Sequence, residues 1–183
     1  MMKGLLTGVL LMGLSFTVTA GGMTLSSPDV HEGERVPEAF VYNGFGCGGG
    51  NLSPALAWSG EPEGTRSFAV TVFDPDAPTG HGWWHWLIYD IPAEVHELAR
   101  GAGAPRAGLA PKGSRQGMTD FRTTGYGGPC PPPGHGTHHY VFTVHALDAP
   151  SLGLPETTPP GELARAIAAH ELDKASITAL YSR

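Results

Sequence analysis

Basic residues are scarce in this sequence. Of 183 positions only 11 are Lys or Arg, against 17 Asp and Glu, and the net charge is −6 with histidine neutral. Nucleic-acid binders show a basic footprint, and none is visible here. The few Lys and Arg are scattered, which also excludes a polybasic hold on an anionic membrane. Partners are therefore expected among small molecules and proteins. Charge of either sign is low, at 15 %, too little for a charged bundle or coiled coil. Three motifs are missing as well. There is no G-x-S-x-G elbow, no Walker loop, and no G-x-G-x-x-G between a strand and a helix. Gly46 to Gly50 is glycine-rich, but no helical pattern follows it. The sequence calls for no cofactor.

Long apolar runs are lacking too, with one exception at the start. Lys3 is followed by an apolar stretch from Leu5 to Phe16, then by Val18-Thr19-Ala20 ahead of Gly21. The uncharged segment falls short of the ~20 residues needed to span a bilayer, and three glycines weaken it. It reads as a signal peptide over residues 1–20, leaving a single domain over 21–183 with no integral membrane segment after cleavage. The expected location is periplasmic or secreted. Cysteine is nearly absent, and the two present, Cys47 and Cys130, both sit in Gly/Pro-rich stretches. In an oxidising compartment they read as one disulfide, worth about 4 kcal/mol in the loop-entropy picture. Two buried thiols are the alternative.

What the chain has in abundance is glycine (27) and proline (17), roughly a quarter of all residues and about twice ordinary usage. Short strands and many turns follow. Ser67 to Phe73 is the clearest strand, apolar on both faces and hence expected between two layers. Trp84 to Ile91 and Tyr140 to Leu147 are two more, and Ala55 to Trp58 is a short one. Val36 to Tyr42, interrupted by Pro37, reads as an edge strand. The stretch from Ala99 to Gly136 has little periodicity, which marks a functional loop or concealed short elements. Near the end Thr158 can cap a helix opening at Pro159, with Leu163, Ala166, Ile167 and His170 on one face. Ala175 to Tyr181 reads as a second short helix. The expected fold is mainly β: an antiparallel β-sandwich of two sheets with short C-terminal helices.

Three segments carry chemistry. In Asp74-Pro75-Asp76-Ala77-Pro78 a buried strand enters a rigid turn, fixing Asp74 and Asp76 in direction. In Gly82-Trp83-Trp84-His85-Trp86 the parity puts His85 in a row with Leu87, Tyr89 and Ile91, beside a wall of tryptophan. In His135-Gly136-Thr137-His138-His139-Tyr140 the residues His138 and Tyr140 share a strand face with Phe142 and Val144. The glycines before Cys130 offer backbone N–H groups suited to an anion. A carboxylate, two imidazoles and a phenol suit a phosphate or carboxylate ligand, with the carboxylate holding a histidine in one tautomer. A metal-dependent hydrolase is the alternative: His81, His85, His135, His138, His139, Asp74 and Asp76 could supply ligands, though their spacing matches no zinc signature.

At these residues the chain resembles the phosphatidylethanolamine-binding protein family, in its bacterial Raf-kinase-inhibitor-like branch. The resemblance runs through Asn51-Leu52-Ser53-Pro54, Trp58-Ser59-Gly60, the Asp74 to Pro78 turn, Gly82 to Trp86, Tyr126 to Pro132 and His138-x-Tyr140. It implies a sandwich with an anion pocket formed by Asp74, His85, the Pro131 region, His138 and Tyr140. It further implies binding of phosphorylated head groups, inhibition of a protein target such as a protease or kinase, and a homodimer. One departure is His139, where many relatives carry Arg; parity puts it on the strand face opposite His138, so the pocket is expected to survive.

Overall fold

The computed structural model describes residues 22–183, so the leader read over residues 1–20 lies outside the described residues. In chain order its strands are β1 (Thr24–Ser26), β2 (Asn43–Gly44), β3 (Cys47–Gly48), β4 (Leu56–Ser59), β5 (Ser67–Asp74), β6 (Trp83–Pro92), β7 (Glu97–Leu98), β8 (Arg115–Gln116), β9 (His138–Leu147) and β10 (Glu171–Tyr181). One α-helix, α1 (Pro160–His170), precedes β10. A five-stranded sheet in the order β10-β9-β5-β6-β8 faces a three-stranded sheet in the order β1-β4-β7, and β2-β3 forms a small hairpin. Every pairing between these strands is antiparallel.

The double-sided apolar pattern of β5 explains the layering. Its Phe68, Val70 and Val72 pack with Trp86, Ile88, Phe142 and Val144, and across the sandwich with Leu56, Trp58 and Leu98 of the smaller sheet. On the other face Ala69 joins Leu87, Tyr89 and Leu147 under Leu163 and Ile167 of α1. Burial on both sides removes each of these side chains from water, at about 25 cal/mol per Å² of apolar surface. The strand therefore needs one cover from a sheet and one from a helix.

The C-terminal segment differs from expectation. Ala175 to Tyr181 is strand, not helix, and pairs with β9 from Ala175 opposite Val144 to Tyr181 opposite His138. Ile177, Ala179 and Tyr181 are buried at alternate positions. Period two also leaves Ile177, Leu180 and Tyr181 at helical spacing, so this short run satisfies both templates. The open edge of β9 decides it, because an unpaired edge leaves a row of N–H and C=O groups without partners. Helix α1 begins one residue later than expected. Thr158 does not cap it but donates its hydroxyl to the Pro155 carbonyl at 2.7 Å. His170 is exposed beside Asp148 rather than on the buried face. Val36 to Tyr42 is also not an edge strand. It holds a single 3-10 turn, Glu38–Phe40, because Pro37 lacks the N–H a ladder needs. The long stretch from Ala99 to Gly136 conceals β8 and one bridge, Met118 to Thr124. Among the described residues no helix is long and apolar enough to cross a membrane.

Leu163 seals the helix-covered face at 0 % exposure. Leu163→Ala is expected to lower stability by about 2–5 kcal/mol, read from a urea midpoint at unchanged slope, through the lost burial and the cavity left behind.

Candidate functional site

Antiparallel pairing of β5 with both β6 and β9 brings the end of β5 beside the starts of its two neighbours. Asp74 pairs with Trp83, and Phe73 with Val141. Asp74, His85, His138 and Tyr140 thereby meet at one end of the five-stranded sheet. They line a cavity of about 200 Å³, walled by Pro131 and Pro132 and rimmed by Phe45, Trp83 and Phe121. Gly82 delivers β6 to this point. Its φ is +75°, and a Cβ there would lie 2.2 Å from the Phe73 ring, so only glycine permits the turn.

A bulge sets the direction of His85. Val72 pairs with Trp86 but Phe73 pairs with Trp84, leaving His85 as the extra residue on β6. The parity expected from sequence is broken there. His85 does not continue the row of Leu87 and Tyr89, which face α1. Its ring instead meets Tyr140 edge-on at 5.1 Å and Phe121 at 5.3 Å. Nδ1 lies 2.7 Å from the Gly127 carbonyl, so the proton sits on Nδ1 and is donated there. Burial pushes the His85 pKa below its usual value and keeps the ring neutral.

His138 is buried at 1 % exposure and held at both nitrogens. Nδ1 donates to Asp74 Oδ2 at 2.7 Å, and Nε2 lies 2.7 Å from Nδ1 of the exposed His135. Asp74 Oδ1 accepts the Asp76 amide at 2.8 Å, so one carboxylate both builds the turn and orients the histidine. Tyr140 has 0 % exposure, and among the described residues its hydroxyl makes no well-formed hydrogen bond, although the Asp74 carboxylate and the Cys130 backbone lie beside it. Burial raises its pKa, so it remains a neutral phenol. A buried hydroxyl left unpaired costs on the order of 1–3 kcal/mol, which a ligand in the cavity would recover.

Asp76 does not join this group. Its carboxylate accepts the His139 amide at 2.7 Å and faces the His139 ring at 2.8 Å, outside the cavity. Burial would raise the Asp76 pKa, but these hydrogen bonds outweigh it and hold the carboxyl below its usual range. The glycine amides expected to meet an anion are committed elsewhere. Gly127 N–H donates to the His85 carbonyl at 2.9 Å, and Gly128 N–H to Asn51 Oδ1 at 2.8 Å. Gly128 cannot be any other residue, since a Cβ would fall 2.1 Å from the Phe40 carbonyl oxygen. The metal-ligand set does not assemble either. His81 and His139 do not line the cavity, and among the described residues no three His, Cys, Asp or Glu side chains converge on a metal position.

Other participants are not among the residues that the sequence singled out for the pocket. Asn51, with φ +48°, ties its side chain to the loop carrying Gly127 and so braces the carbonyl that fixes His85. Asp120 holds the start of β6 by accepting the Trp84 amide at 2.7 Å. Phe45 is 66 % exposed and packs against Tyr42 and Phe121 at the mouth. Two ties hold this lip to the opposite wall. Cys47 and Cys130 form a disulfide between the β2-β3 hairpin and the Pro131 strip. Arg183 donates from Nε to the Pro131 carbonyl at 2.6 Å and from Nη2 to the Phe45 carbonyl at 3.0 Å. Only the cysteine count signalled the first tie; nothing local marks the second.

The family model described as phosphatidylethanolamine-binding protein matches residues 26–182. YbcL of Escherichia coli (strain K12) is 43 % identical over 180 residues, 98 % of each chain, and YbhB of the same strain is 46 % identical over 160 residues, 87 % of this chain and all of that one. The crystal structure of E. coli YbcL superposes with a TM-score of 0.87, covering 89 % of this chain and 99 % of that one. A carboxypeptidase Y inhibitor seen with its proteinase shares the fold at a TM-score of 0.51 and 19 % identity, covering 89 % of this chain and 83 % of that one.

Two outcomes follow from the site's construction. Replacing both cysteines, Cys47→Ala with Cys130→Ala, is expected to lower stability by about 4 kcal/mol in chemical unfolding, because an 83-residue separation is no longer closed in the unfolded chain. The second outcome concerns pH. Burial lowers the folded pKa of His85 and of His145 below the unfolded value of about 6.5. Between folded and unfolded values the unfolded chain binds more protons. Stability is therefore fully present above about pH 6.5 and declines as pH falls toward the folded values, by at most about 1.4 kcal/mol per pH unit per histidine. Urea midpoints at stepped pH measure the slope, and His145→Gln is expected to reduce it.

Proposed function

This chain belongs to the phosphatidylethanolamine-binding protein family, and from that premise we propose that it is a binding protein whose cavity receives a small anion, a phosphate or a phosphorylated head group such as phosphoethanolamine. The buried, unpartnered Tyr140 hydroxyl carries the reading. Native proteins rarely leave such a group unsatisfied, and here its residue lines the cavity. At about 200 Å³ the cavity is smaller than a drug-sized site of roughly 300–1,000 Å³, which suits a head group.

We read the site as binding rather than catalytic. Its one cysteine is in the disulfide, and its phenol is kept neutral by burial, so neither is an activated nucleophile. Export to the periplasm or beyond rests on the leader pattern over residues 1–20. Regulation or inhibition of a protein partner, such as a protease, rests on the family resemblance alone.

Titration of metal-stripped protein with phosphoethanolamine, followed through the histidine ring resonances, is expected to give saturable shifts at His85 and His138. Tyr140→Phe removes the hydroxyl and keeps the ring. The dissociation constant should rise about tenfold, the equivalent of a charge-assisted hydrogen bond of about 1.5 kcal/mol. An unchanged constant would remove Tyr140 from the site.

A further inference from the structure

The groups left free in the cavity differ from those a bare anion needs. His138 has no free nitrogen, since Asp74 and His135 hold both. The Gly127 and Gly128 amides are engaged within the protein. Among the described residues no Lys or Arg lines the cavity, while Asp74 does. Among the lining side chains of the described residues, the Tyr140 hydroxyl is unpartnered, His85 bonds the protein through Nδ1 and leaves Nε2 over, and Trp83 adds a neutral indole at the rim.

The state of that nitrogen is decided by the backbone. Gly127 grips His85 twice: its N–H donates to the His85 carbonyl, and its own carbonyl accepts Nδ1–H. Asn51 and Gly128 brace the same loop. The proton of a neutral His85 is thereby locked on Nδ1, and Nε2 presents a lone pair. A lone pair repels a bare oxyanion. A proton placed between them converts the contact into a charge-assisted hydrogen bond.

We propose that the anion is received together with one proton, shared between an anion oxygen and Nε2 of His85, so that the site takes phosphomonoesters and phosphodiesters as acid-plus-anion pairs. This rests on the anion reading of the cavity and specifies its chemistry. The groups facing His85 agree with it. Asp74 on β5 and Asp120 from the loop after β8 favour the protonated ring, Tyr140 on β9 and Phe121 are neutral, and burial opposes the charge. The ring therefore stays neutral in the empty cavity, and a second negative charge against Nε2 brings the proton in.

Calorimetry with phosphoethanolamine and with glycerophosphoethanolamine at about pH 8, each in two phosphate-free buffers of unlike ionisation enthalpy, counts the protons taken up. Roughly one proton per bound ligand is expected for both, with affinity falling up to about tenfold per pH unit in the alkaline range. The diester has no proton of its own to gain, so its uptake must appear on the protein, and ¹⁵N spectra of the wild type should show Nε2 of His85 becoming protonated. His85→Gln supplies an N–H donor that cannot titrate. It should bind the diester with no proton uptake. Saturable binding without uptake, at an affinity flat from about pH 6 to 8, overturns the proposal and leaves the anion site standing. Uptake that leaves Nε2 of His85 unprotonated in the diester complex overturns it too and moves the proton to the His135–His138 pair. Absence of binding by either ester overturns the anion reading itself, and the proposal with it.

Discussion

Burial of β5 on both faces is the constraint from which the rest of the molecule follows. A strand without a polar face must be covered twice, once by the small sheet through Leu56, Trp58 and Leu98 and once by α1 through Leu163 and Ile167. It must also be central, because its N–H and C=O groups have no water to turn to. Antiparallel neighbours on both sides then place the start of β6 and the start of β9 at the point where β5 ends. The cavity arises there, where three strands stop supplying apolar side chains and begin supplying Asp74, His85, His138 and Tyr140.

The cavity is built almost without fixed charge. Among the described residues Asp74 is the one carboxylate in its lining, and it is shared between a turn amide and a histidine. His85 is oriented by backbone instead: the Gly127 peptide holds it, and the bulge in β6 aims it. A protein with few cations can still receive an anion if the compensating charge arrives as a proton, and imidazole is the side chain whose titration range allows this. The mouth is fastened separately from the floor. A disulfide and Arg183 both join the Phe45 lip to the Pro131 wall, so an exposed aromatic with φ +53° is held in place by its neighbours rather than by its own strand pairing.

The sandwich was legible because its central strands carry long, one-sided or two-sided apolar patterns, and the site residues were legible because polar groups interrupt those patterns at strand ends. His138 and Tyr140 lie on the face their parity indicated, since β9 pairs without a bulge there. His85 does not, because a bulge is a property of two strands in register and leaves no trace in one. Asp76 looked equivalent to Asp74, two residues away in the same turn, yet the turn sends it to His139 on the outside. The tail from Ala175 to Tyr181 fits both a helix and a strand, and the open edge of β9 settled the matter.

By itself the sequence determined that the chain is rich in turns, poor in charge, mainly β, and equipped with histidine, tyrosine and aspartate where its strands end. Those are consequences of composition and periodicity, which act locally. The tertiary structure alone decided which nitrogens and amides remain free. The Gly127 and Gly128 amides, both nitrogens of His138 and the side chain of Asp76 are all occupied by partners far away in the chain or across a turn. Hydrogen-bond capacity is finite, and its allocation depends on contacts that exist only once the strands have paired.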